Sequence, residues 1–154
     1  MRFLCDEMLV RLARLLRAAG YDTYLASGGE PDVTLLHLAR EEGRMVLTRD
    51  KRLAAAASPD SVLIDGHGVE QEALSLSAAV PIGWDADPFS RCVMDNARLR
   101  EASAQEVARM PASARDGAGP FRTCPACGRL YWPGSHVRRM NARLAAIDQA
   151  RLGA

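Results

Sequence analysis

The chain has only one lysine, Lys51, among 20 basic residues, and just three histidines and four cysteines in 154 residues. It also lacks any apolar run approaching the roughly 20 residues that a membrane-spanning helix needs. The first apolar run, Phe3-Leu4-Cys5, meets Asp6-Glu7 at once, so no secretory signal is expected there and a cytoplasmic location is the default. Four cysteines, three of them late in the chain, then read as metal ligands or buried thiols and not as a disulfide framework. No serine or cysteine is placed as an obvious nucleophile. With lysine nearly absent, the positive charge is arginine, whose planar fork suits phosphate.

What is present is enough for one well-cored domain and a small appendage: 16.7 kDa, 48% hydrophobic and 25% charged. The net charge of +1 conceals a division. Residues 1–90 carry nine basic and fourteen acidic side chains, a balance of −5, whereas residues 91–154 carry eleven and five, a balance of +6. Such an asymmetry points to a basic surface for an acidic partner, nucleic acid first, against the plainer reading of arginines scattered over a solvated surface.

The first ninety residues alternate in strand and helix character. Arg2–Cys5, Tyr21–Leu25, Met45–Thr48 and Ser61–Ile64 have the length and composition of buried strands, with helical patterns between them. Leu9, Leu12, Leu16 and Ala19 mark one face of the first helix, with Arg11, Arg14 and Arg17 on its other side and Gly20 as its stop. The pattern predicts an α/β fold with a parallel sheet between helical layers. In such a sheet, ligands bind outside the carboxyl ends of the strands. Two of those ends are acids, Asp6 after the first strand and Asp50 after Met45–Thr48. Carboxylates gathered in one crevice repel each other, and a divalent cation is the usual remedy, so the pair predicts a metal site.

Each acid also has a plain structural role available. Asp50 can cap the following helix, Asp32 after Pro31 can cap another, and Asp6 can bond loop amides. Glu7 points the other way across the pleat. Asp65 ends the fourth strand and either joins the acids or serves the turn at Gly66, and His67 reads as a loop residue. Cys5 reads as a buried hydrophobe. Thr48 and Arg49 either help place a phosphate or reflect strand propensity and surface charge.

Character changes near Asp85-Ala86-Asp87-Pro88, which divides the chain into residues 1–88 and 89–154. Met110–Gly119 reads as a mobile loop, and Val137–Leu152 as a helix marked by Met140, Leu144 and Ile147. Two segments echo one another: Cys92-Val93-Met94-Asp95-Asn96-Ala97-Arg98-Leu99 and Cys124-Pro125-Ala126-Cys127-Gly128-Arg129-Leu130. The second is half of a zinc ribbon, because a C-x-x-C turn presents two thiolates to one metal. The first has Asp95 at the corresponding place, so the expected zinc ligands are Cys92, Asp95, Cys124 and Cys127, with His136 as the alternative fourth and a metal-free ribbon as the alternative state. Tyr131 and Trp132 either stack on a base or anchor the ribbon.

These residues together carry a resemblance. Asp6-Glu7-Met8-Leu9 with Arg11-Leu12-Ala13-Arg14-Leu15-Leu16-Arg17, Gly20-Tyr21-Asp22-Thr23, Leu38-Ala39-Arg40-Glu41-Glu42-Gly43 and Leu47-Thr48-Arg49-Asp50 resemble the Mut-seven C-terminal RNase family. So do Pro88-Phe89-Ser90-Arg91-Cys92 and Tyr131-Trp132-Pro133-Gly134-Ser135-His136. The resemblance implies a PIN-like nuclease fold, a three-layer α/β/α sandwich, joined to a C-terminal zinc ribbon and helix. It implies a metal-dependent ribonuclease in which Asp6, Asp32 and Asp50 match the catalytic acids. Asp95 is its departure, since the family usually has a ribbon cysteine there.

The expectation is therefore hydrolysis of RNA by water activated on Mg²⁺ or Mn²⁺. Asp6 and Asp50 would hold the ion, with Asp32 doing so directly or through water, while Arg14, Arg49, Arg138 and Arg139 contact the phosphate backbone. The rivals are a non-catalytic RNA-binding module, in which the acids are only caps, and a phosphoacceptor switch. The latter needs a lysine at the end of a late strand, and the sole lysine follows Asp50.

Overall fold

A computed structural model describes residues 1–153. Its first half is a parallel four-stranded sheet of order β2-β1-β3-β4, formed by β1 (Arg2–Cys5), β2 (Asp22–Leu25), β3 (Met45–Thr48) and β4 (Ser61–Leu63). The connections are α1 (Val10–Ala18), α2 (Asp32–Glu42) and α3 (Lys51–Ala57), and α4 (Val69–Ala79) follows β4. Successive side chains on a strand alternate between faces, and the core divides accordingly. Phe3, Cys5 and Leu47 pack with α1 and α4, while Leu4 and Val46 pack with Leu35 and Ala39 of α2 and Leu53 of α3. Leu4 is fully buried, so Leu4→Ala would cost about 2–5 kcal/mol.

The second half holds a three-stranded antiparallel sheet, β5 (Arg100–Glu101), β6 (Arg122–Thr123) and β7 (Leu130–Tyr131), which the sequence pattern did not predict. Two-residue strands carry no readable alternation. The span expected to be a loop contains the short α6 (Ala112–Arg115), after α5 (Ala104–Ala108) with its Ser103/Glu106 capping box. The last helix, α7 (Ser135–Leu152), buries Leu144 and Ile147 and packs on α4, with Arg143 ion-paired to Glu70.

The two halves share one core. Cys92, Cys124, Tyr131, Leu144 and Ile147 belong to the same buried cluster as Phe3 and Leu12. Trp84, fully buried, donates its indole N–H to Ser77 Oγ at 2.8 Å and its amide to Asp148 of α7 at 2.9 Å.

Arg17 corrects the reading of α1: it is buried, not part of an exposed arginine face. Its guanidinium donates to Thr23 O at 2.9 Å and to Met94 O at 2.6 Å, and Thr23 N donates to Asn96 Oδ1 at 3.0 Å. β2 is an edge strand, and this pair of bonds satisfies backbone groups that would otherwise lie open. The C-terminal end of α1 at Arg17 therefore faces a protein seam, whereas Arg11 and Arg14 are exposed, a difference that helical periodicity alone cannot show.

Candidate active site and metal cluster

β1 and β3 are adjacent, and the chain leaves β1 toward β2 on one side and builds β3 and β4 on the other. Their carboxyl ends thus form the switch point at which open α/β sheets bind ligands. Asp6 lies there, 7% exposed, with its amide bonded to Leu47 O at 3.1 Å. Its Oδ1 accepts from Met8 N at 2.9 Å, and its Oδ2 accepts from the Thr48 hydroxyl and from Arg49 N at 3.2 Å. Both lone-pair positions of Oδ2 are then occupied, leaving Oδ1 as the oxygen with spare capacity. Thr48 also accepts from Asp50 N at 2.9 Å, so one hydroxyl ties the two strand-end acids together.

Asp50 does cap its helix, with Oδ1 accepting from Arg52 N at 2.6 Å and Leu53 N at 3.3 Å. That fixes the carboxylate and leaves Oδ2 without a partner among the described residues. Asp32 is not the cap of α2. Pro31 holds that position and Asp32 is the first helical residue, exposed, with no hydrogen bond or ion pair among the described residues.

Asp6, Asp32 and Asp50 line one cleft of about 230 Å³, together with Glu7 and Glu30. Glu7 accepts from Gly29 N at 3.2 Å. Glu30 escaped the sequence reading; its signal was position, in the loop after a parallel strand. Hydrogen bonds from the Ser27 hydroxyl and amide, and from Tyr24, hold it below the usual glutamate range. A second missed acid, Glu72, is buried on α4 and paired with Arg49 at 3.5 Å. Its sign in the sequence was a glutamate on the helix face of Val69, Ala73 and Leu76. Arg49 also donates to Gly66 O at 3.0 Å, so it is tethered within the protein. Asp65 serves its turn, accepting from Gly66 N at 2.7 Å, and neither it nor His67 lines the cleft.

The late cysteines form a different site. The echo noted in the sequence is a repeat of backbone geometry. Asn96 N bonds to Cys92 O at 3.0 Å and Gly128 N to Cys124 O at 2.9 Å. Cys92 N bonds to Ala97 O at 2.8 Å and Cys124 N to Arg129 O at 2.9 Å. Asn96 and Gly128 both take the left-handed conformation, at φ 67° and 69°, which Gly and Asn tolerate best.

The turns bring one ligand atom each of Cys92, Asp95, Cys124 and Cys127 within 4.8 Å of one another. Among the described residues this is the group that converges so; the cleft acids do not, and His136 is not a member. Cys92 and Cys127 Sγ are 3.8 Å apart, and Cys124 Sγ lies 3.1 Å from Asp95 Oδ1. Metal–sulfur bonds near 2.3 Å in a tetrahedron give edges of about 3.8 Å, so the donor set fits zinc in both chemistry and spacing. Burial disfavours charge on Asp95. Hydrogen bonds from Cys127, Cys124 and Cys92 and from Ala97 N outweigh it and hold the carboxyl at about 2. Burial, with Asp95 as hydrogen-bond acceptor, pushes the Cys124 thiol up to about 12, so metal entry would have to displace thiol protons.

Of the arginines expected to contact RNA, Arg14 and Arg139 are exposed, and Arg138 donates to Pro133 O at 2.6 Å. No helix of residues 1–153 is long and apolar enough to cross a membrane.

The family model of the Mut7-C RNAse domain matches residues 1–144. A human protein, the exonuclease mut-7 homolog, is 45% identical over 47 residues, covering 30% of this chain and 5% of that protein. The chain thus spans a small fraction of that curated relative. No solved structure matches. With nearly its whole length matched, the chain belongs to the Mut7-C RNAse domain family.

Proposed function

We propose that this member of an RNase domain family is a Mg²⁺- or Mn²⁺-dependent ribonuclease, with a PIN-like α/β/α nuclease domain over residues 1–88 and a zinc-ribbon-like module with its helix over 89–154. The observation that carries the reading is the shared cleft. Asp6 after β1, Asp32 at the start of α2 and Asp50 after β3 line one opening at the switch point of the parallel sheet. Oδ1 of Asp6 and Oδ2 of Asp50 have the capacity to hold a cation, and Asp32 faces the same opening without a protein partner. A bound divalent ion would supply an activated water and neutralise charge on the reacting phosphate. Thr48 links the Asp6 carboxylate to the Asp50 amide, and the tethers on Glu7 and Glu30 hold the cleft wall. Arg14, Arg138 and Arg139 would contact the phosphate backbone, giving affinity more than sequence choice. Arg49, paired with Glu72, serves mainly to shape the strand end. Zinc at Cys92, Asp95, Cys124 and Cys127 would be structural. A cytoplasmic location is part of this reading, and end-directed cutting is its extension from the human relative's name.

The test is incubation of the purified chain with linear and circular single-stranded RNA, with Mn²⁺ or with chelator, beside Asp6→Asn and Asp50→Asn. The expected result is cleavage that needs Mn²⁺ and both acids. RNA binding without cleavage under any metal would replace this reading with a non-catalytic binding module.

A further inference from the structure

On the side of the molecule that carries the late cysteines, a cavity of about 460 Å³ opens between the two cysteine turns, α1 and the start of α7. We infer that this cavity, together with a smaller neighbour, holds a nucleobase of single-stranded RNA against Trp132. The inference rests on the RNA reading for its ligand, but it concerns a site separate from the acidic cleft and composed oppositely.

The walls are mainly apolar and include the Trp132 indole. Trp132 is half-buried, Met94 and Met140 flank the space, and Val137 closes it. The indole lies over Gly134, where an added Cβ would fall 2.6 Å from Trp132 Nε1, so glycine is what lets the ring take this place. The volume is within the range of small-ligand pockets. Stacking on an aromatic ring with cations nearby is how single strands are held without sequence choice.

Charge chooses between a base and an apolar peptide. No carboxylate lines either cavity, whereas five line the acidic cleft. Arg14 and Arg129 line the larger cavity with guanidinium groups that make no hydrogen bond or ion pair among the described residues, and His136 is part of the same lining. Apolar walls that include an indole, beside unpaired cations, suit a ligand with an aromatic body and an anionic linkage. The neighbouring cavity, about 140 Å³, shares Tyr131 and Trp132 with the first and is also lined by Asn141. Oδ1 of Asn141 is buried without a partner among the described residues.

Trp132 also provides the measurement. The chain has two tryptophans, and the other, Trp84, is fully buried. The full chain, without added Mg²⁺ or Mn²⁺, is titrated with a short single-stranded RNA of mixed sequence while tryptophan emission is followed. Quenching is expected in the parent and is expected to vanish in Trp132→Phe, which keeps most of the affinity. Trp132→Ala should weaken binding about five- to a hundredfold, the usual worth of one stacked base. Met94→Glu should also weaken it; Met94 is 42% exposed, so this variant does not disturb the core. An abasic strand of equal length should bind in a salt-dependent way without quenching. Emission that ignores RNA, or parent-like affinity in both Trp132→Ala and Met94→Glu, overturns the inference and leaves the cavity to a protein segment. Mn²⁺-dependent cleavage is read separately. Quenching without cleavage sinks only the nuclease reading, and cleavage without quenching sinks only this one.

Discussion

At the strand ends five carboxylates line an open cleft, and no three of them converge on one point. In the second half, four donors from two matching turns close to within 4.8 Å. The difference follows from what each kind of ion requires. Mg²⁺ sheds water reluctantly and usually binds through one or two carboxylates plus waters and substrate phosphate, so a site for it must leave room. A structural zinc takes four protein donors and no more. Asp6 is held by bonds from Met8, Thr48 and Arg49, and Asp50 by its cap of α3. The sulfur donors are held by two short turns, supported by a sheet of two-residue strands, the seam at Arg17 and Asn96, and the shared core in which Cys92 and Cys124 are buried. On the proposed reading, one region leaves room for an ion and a substrate together, and the other would be completed by a zinc ion.

The comparison breaks most readily at Asp6. Asp6→Asn should lower Mn²⁺-dependent RNA cleavage by at least about a hundredfold, because several kcal/mol of charge stabilisation are at stake. It should cost the fold only about 1–2 kcal/mol, since the amide cannot accept all three of the carboxylate's hydrogen bonds. Kinetics and a denaturant melt of the same sample check both parts.

Removing zinc should act on the other region. Chelator should expose the amides of Asn96 and Gly128 to hydrogen exchange while those of β1 and β3 stay protected. Equal loss of protection throughout would mean that the shared core makes the two halves one cooperative unit.

Asp95 sharpens the comparison from within the cluster. Asp95→Cys should raise zinc affinity, because thiolate is the softer ligand. Asp95→Ala should lower it by more than the roughly 10–100-fold typical of outer partners. Competition with a chromogenic chelator measures both.

Glu72→Gln leaves Arg49 without its charge partner beside the cleft. The pair is partly buried, so a loss of about 1–2 kcal/mol in thermal stability is expected, below the cost of breaking a fully buried pair.

A pH-dependent effect lies at Asp22, where β2 meets Arg44 and Asn96. Burial raises the Asp22 carboxyl, but hydrogen bonds from Asn96 and Arg44 outweigh it and hold the group below its ordinary 3.8. A depressed folded value adds stability above the unfolded value, and that stability is lost as pH falls through the folded one. The stability advantage of the parent over Asp22→Ala should therefore be full near neutral pH and should shrink below about pH 4. A pH series of melts checks the sign.

Much of the first half was legible because its strands are bounded apolar runs and its helices carry long stripes. Asp6 and Asp50 were legible for the same reason, since each ends such a run. The two cysteine turns were legible from their repeated spacing. Arg17 was not, because a helix period shows that a face lies away from the main core but not what covers it. Glu30 was hidden in a loop with no periodicity. Glu72 was hidden because one acid in an apolar stripe gains a partner, Arg49, only through the fold.

The most direct test measures zinc content and Mn²⁺-dependent RNA cleavage on the same preparations of parent, Asp6→Asn and Cys124→Ser. The account predicts one zinc per chain in the parent and in Asp6→Asn, with cleavage lost in Asp6→Asn alone, and loss of zinc in Cys124→Ser. Parent-like cleavage by Asp6→Asn, or full zinc in Cys124→Ser, would contradict it.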